Sequence, residues 1–158
     1  MEHLTKYLTA EGVLLDAEAR DAAGLFQQFS QHLMRRNLIT SAVAKNFEQA
    51  LAAREALGAT ALGQGIAIPH AYVDGMPGET VLFCRLREGI AYQAADGKPV
   101  RLFFCLTGPN RHPALHLQLL AKLARLLGDD ILRRELLEVK TAREFVQAFE
   151  RDEARHGG

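Results

Sequence analysis

Apolar residues recur at helical spacing from Glu18 to Arg36, where Ala22, Leu25, Phe26, Phe29 and Leu33 share one face. The pattern predicts a helix over that span, with Asn37 placed to end it. A short strand, "GVLLD" (Gly12–Asp16), precedes it. Ser41 is placed to cap a second helix that turns Val43, Phe47, Ala50 and Leu51 inward and closes at Gly58. The pattern then changes to strand-like runs, "GIAIPH", "ETVLFCRL" and "PVRLFFCLTG". The last two are apolar at both alternating sets of positions, as a sheet covered on both faces requires. "AADGKP" supplies the turn between them. The remaining third is helical. Pro113 suits the first turn of a helix carrying Leu115, Leu119, Leu123, Leu126 and Leu127, ended by Gly128. Asp129 or Asp130 opens "ILRRELLE", and the capping box "TARE" (Thr141–Glu144) opens a last helix with Phe145 and Phe149. Strands buried on two faces among amphipathic helices imply an α/β protein of three layers, α/β/α. The polar end "RDEARHGG" reads as a frayed tail, so the expected division is a domain over 1–152 and a tail over 153–158.

Composition narrows the class. The 158 residues suit one domain, and a chain this long buries roughly 70% of its unfolded surface without a disulfide or metal. Nineteen basic residues balance nineteen acidic ones, which argues against nucleic acid or an anionic membrane as partner. Cys84 and Cys105 each lie in an apolar run and read as buried thiols. No apolar run approaches the ~20 residues of a membrane span, so a soluble, cytoplasmic protein is expected.

Three side chains stand out from a plain core. Arg54 lies on the inward flank of the second helix, near its end. There it either snorkels to water and complements the helix dipole or clamps an anion with its guanidinium fork. His116 falls on the apolar face of the Pro113 helix, as a satisfied core residue or a working one. The helix dipole opposes its protonation, so a neutral ring is expected. His70 follows Pro69 at a strand end, at the rim where open α/β sheets place their sites. Gly63 and Gly65 just before it permit unusual dihedrals and leave amides accessible. A glycine-rich turn that merely ends in histidine is the plainer reading. His112 and His116 form a His-x-x-x-His pair, which with His70 offers a metal-dependent hydrolase as a remote alternative.

Taken together, "REALGATALGQGIAIPHA" resembles the signature of enzyme IIA domains of the bacterial phosphoenolpyruvate:sugar phosphotransferase system. The likeness is to the fructose/mannitol type, which includes the stand-alone nitrogen-regulatory IIA proteins. Arg54, Glu55, Thr60, Gly63, Gly65, Ile66, Ala67, Pro69 and His70 meet the pattern, and "DGKPVRLFFCL" with "HLQLLAKLA" matches a second block. The likeness runs from "LTAEGVLLD" to "REFVQAF". It implies a sandwich around a mixed sheet and a phosphohistidine at His70, flanked by Arg54 and His116, with Thr60, Gly63 and Gly65 supporting the phosphoryl loop. The implied donor is the phosphocarrier HPr or its nitrogen-branch relative, and the implied recipient a IIB domain. A regulatory switch that binds target proteins is the other implied role. No cofactor or metal is implied. One position departs from the pattern: Ala59 stands where the family usually has serine.

Overall fold

The structure, a computed structural model, describes residues 3–156. Two short turns of 3₁₀ helix, Leu4–Lys6 and Ala10–Gly12, lead into β1 (Val13–Ala17), α1 (Ala22–Arg35) and α2 (Ser41–Ala56). Three short strands follow, β2 (Ala61–Gly63), β3 (Ile66–Ala67) and β4 (His70–Tyr72). The long pair β5 (Thr80–Ile90) and β6 (Val100–Gly108) precedes α3 (Pro113–Leu126), α4 (Asp130–Glu138) and α5 (Ala142–Arg155).

The sheet runs β1-β5-β6-β3-β2, and β4 also pairs with β6. It is mixed: β5 and β6 are antiparallel, while β1 runs parallel to β5, and β3 and β4 run parallel to β6. Alternation along the central strands builds two cores. Val81 and Phe83 of β5, with Phe104 and Leu106 of β6, face α3, α4 and α5. Leu82, Cys84 and Leu86, with Phe103 and Cys105, face α1 and α2. The three-layer sandwich read from the apolar pattern is thus observed, with a core on each side of the sheet. Both cysteines are free and buried. No helix among the described residues is long and apolar enough to cross a membrane.

Four local readings change. Helix α1 starts at Ala22, later than the periodicity suggested, because the Asp21 carboxylate accepts from the Gly24 amide and caps it there. The cap of α2 is Thr40, whose hydroxyl accepts from Val43 N (3.2 Å), and Ser41 is already helical. The run "GIAIPH" is not one strand. It breaks at Ile68–Pro69 into β3 and β4, which continue along the same edge of β6, with Leu106 N donating to Pro69 O at 3.0 Å. Finally, of the tail expected over 153–158, α5 takes in 153–155, while 157–158 lie outside the described residues. Asp152 and Glu153 are buried, and Glu153 accepts from Lys122 (2.6 Å) and from the Leu4 amide (2.9 Å). A polar string therefore tied the last turn down rather than releasing it.

Candidate functional site

Ile66, Ile68 and His70 alternate onto the sheet face that carries α3, and the break at Pro69 sets His70 as the first residue of β4, opposite Leu106. The half-buried ring is oriented by its own chain: Nδ1 lies 2.7 Å from Ile68 O. A carbonyl only accepts, so Nδ1 carries the proton, and in the neutral ring the lone pair sits on Nε2. Burial holds the His70 imidazole below its usual value, the Ile68 carbonyl acts in the opposite direction, and the positive charge of Arg54 lowers it again.

Arg54 arrives from the other helical layer, in the last turn of α2. Its Nη1 donates to Gly58 O (2.9 Å), which fixes the guanidinium at the edge of a cleft of about 240 Å³ that it shares with His70. Arg54 therefore bonds the chain just past the end of α2 and at the same time lines the cleft that holds His70. Apart from Thr60, the rest of the cleft is apolar and includes Leu62, Ile68, and Leu120 and Ala124 of α3. Ala59 also lines it, so the position without a hydroxyl faces the cleft directly.

His116 is buried in the first two turns of α3, and its ring centroid lies 6.3 Å from that of His70. Its Nδ1 donates to Glu79 Oε2 at 3.0 Å, and both side chains are almost fully enclosed. Tyr72, two residues along β4 from His70, lays its ring 4.4 Å from the His116 ring. Nothing in the periodicity links Glu79 to His116, since the pair is brought together by the β4–β5 connection and α3. The carboxylate just ahead of an apolar strand was the only available signal.

The other predicted site residues serve the approach to His70. Thr60 is buried, and its hydroxyl and amide both donate to the Glu55 carboxylate (2.5 and 3.3 Å). Its carbonyl takes the Ile68 amide (3.0 Å), so Thr60 ties the end of α2 to the strand that carries His70. Gly63 (φ +83°), Gln64 (φ +58°) and Gly65 (φ +77°) form the tight β2–β3 turn, a left-handed run that glycine tolerates. A side chain at Gly63 would meet Asp96, whose carboxylate accepts from Gln64 N at 2.9 Å. These glycines therefore shape the hairpin against the β5–β6 connection and do not line the cleft around His70.

His112 is the exposed N-cap of α3 and makes no capping bond with its side chain. The trio needed for a metal-dependent hydrolase is not assembled. Among the described residues, the group with ligand atoms close enough for a metal is Asp129, Asp152 and His156, where Arg155 already pairs with Asp152 at 2.6 Å.

Comparisons with known proteins agree with one another. The IIA-Ntr nitrogen regulatory protein of Neisseria meningitidis superposes with a TM-score of 0.83 at 34% identity, covering 92% of this chain and 98% of that one. The nitrogen regulatory protein of Pseudomonas aeruginosa is 32% identical over 93% of this chain and 94% of its own length. The fructose-specific EIIABC component of Bacillus subtilis is 28% identical over 87% of this chain, which spans only 21% of that larger protein. A fructose-specific EIIA component and a further nitrogen regulatory protein are matched over 60% and 58% of their lengths. The family described as "Phosphoenolpyruvate-dependent sugar phosphotransferase system, EIIA 2" matches residues 6–152, and the chain belongs to it.

Proposed function

We propose that this protein is a phosphocarrier that accepts a phosphoryl group on Nε2 of His70 and passes it on. The observation that carries the reading is the Nδ1 to Ile68 O bond, which leaves the Nε2 lone pair of a ring held neutral. Donor and acceptor are both histidines, so the protein has little bond chemistry to perform, and catalysis consists of positioning and charge stabilisation. Arg54 faces the oxygens that gain charge as the phosphorus–nitrogen bond forms. Exposed Leu62, with Leu120 and Ala124, offers an apolar seat on which a docked partner excludes the water that would hydrolyse the phosphohistidine. Thr60 and the β2–β3 glycines hold the approach segment in place, and no metal or organic cofactor enters the step.

The donor is HPr or its nitrogen-branch relative. The acceptor is either a IIB domain or, in the regulatory version, none: the added negative charge changes which proteins bind. The regulatory version is favoured by coverage, since the chain matches nitrogen regulatory proteins over 90% and 94% of their lengths. Incubation with phosphoenolpyruvate, enzyme I and either carrier tests both parts. Acid-labile label on the wild type and none on His70→Ala is expected, with faster labelling from the nitrogen-branch carrier. Full labelling of His70→Ala would overturn the site.

A further inference from the structure

The Glu79–His116 pair is the least economical feature of the molecule. The Glu79 side chain is 2% exposed, yet its Oε1 has no hydrogen-bond partner among the described residues, while Oε2 takes Nδ1–H of His116. Space was made for it at Gly108, where a Cβ would sit 2.4 Å from Oε1. A buried carboxylate with an idle oxygen is costly unless a positive charge lies beside it. A neutral His116 that donates from Nδ1 would turn a bare lone pair on Nε2, and a lone pair repels a phosphoryl oxygen. Only the doubly protonated ring both satisfies Glu79 and offers an N–H on its other side.

We infer that Glu79 is a positioning residue that keeps His116 as an imidazolium, with Nδ1–H on the carboxylate and Nε2–H available to an oxygen of a phosphoryl group on His70. The role in transfer rests on the phosphocarrier reading; the charge of the ring does not. Tyr72 supports it, because an aromatic ring at 4.4 Å favours a cation over a neutral imidazole. Among the described residues, the titratable groups shown against His116 are Glu79 from the β4–β5 connection and His70 and Tyr72 from β4, while His112, the N-cap of α3 one turn earlier, is exposed. Only Glu79 among them supplies negative charge at neutral pH. During transfer the bond from phosphorus to the donor ring breaks and the bond to His70 Nε2 forms. The PO₃ unit brings one net negative charge, and the His116 cation receives it without a proton leaving either histidine.

Nitrogen-15 NMR of the histidine rings in the unphosphorylated full chain at pH 7 decides the ring charge first. Wild-type His116 is expected to show two protonated nitrogens. Glu79→Gln, whose amide donates to Nδ1, is expected to show one, and Glu79→Asp to restore both. Phosphoryl transfer at pH 8 should then fall about tenfold in Glu79→Gln, the difference between a charge-assisted and a neutral hydrogen bond, with thermal midpoints compared to exclude a folding effect. A neutral His116 in the wild type, or identical ring patterns in wild type and Glu79→Gln, would overturn the inference. Failure of the wild type to take up phosphate would instead overturn the phosphocarrier reading and leave the ring measurement standing.

Discussion

His70 is selected by its immediate surroundings more than by any single partner. Burial and the Arg54 charge hold the ring neutral, and the Ile68 carbonyl chooses which nitrogen is free. The His70 ring is therefore expected to titrate below the reference value of 6.5, and Arg54→Ala to move its midpoint upward, both read by proton NMR. Because the unfolded ring binds a proton that the folded one resists, stability drawn from His70 is present above the unfolded value. It is lost as pH falls from there through the lower folded value. His70→Ala should accordingly lose less stability than the wild type across that window in urea titrations. Ala59→Ser would place a hydroxyl in the cleft, and one added neutral hydrogen bond of ~1 kcal/mol corresponds to transfer about fivefold faster. An unchanged rate would show that this hydroxyl does not reach the phosphoryl group.

At the scale of elements, long periodic segments were legible and short polar details were not. The helices around Phe26, Leu119 and Phe149, and the paired strands β5 and β6, follow directly from their apolar spacing. The β2–β3 hairpin and the division of "GIAIPH" were hidden, since two- and three-residue strands carry no period and Pro69 breaks the ladder without ending the edge. His70, Arg54 and His116 could be singled out by residue type and position, but Glu79 could not, because its meeting with His116 is a product of tertiary packing. Capping shows the same limit: Ser41 is the better cap by residue type, and only backbone geometry gives the position to Thr40. Thr40→Ala should cost about 1 kcal/mol in chemical denaturation, and Ser41→Ala close to nothing. The reverse order would return the cap to Ser41.

Across the whole molecule, the first and last helical turns are joined behind the sheet. Lys122 of α3 and Glu153 of α5 form a buried pair that also holds the Leu4 amide, so this turn of α5 belongs to the core. Burial alone would raise the Glu153 carboxyl, but Lys122 and the Leu4 and Thr5 amides outweigh it and hold it below its usual value. Its contribution is present above the unfolded carboxylate range and is lost as pH falls through the lower folded value. Glu153→Ala should cost about 3–5 kcal/mol, while replacing both Lys122 and Glu153 by apolar residues of similar volume should recover most of it. Additive losses in that double variant, measured by urea unfolding, would contradict the pair. These ties hold α3 to α5 and to the first turn of the chain, and α3 carries both His116 and part of the cleft lining. The most direct measurement of the central claim is phosphorus-31 and nitrogen-15 NMR of the enzymatically phosphorylated chain. Phosphorus bonded to Nε2 of His70, with Nδ1 still protonated, is the expected result. Phosphorus on Nδ1, or on any other residue, would contradict it.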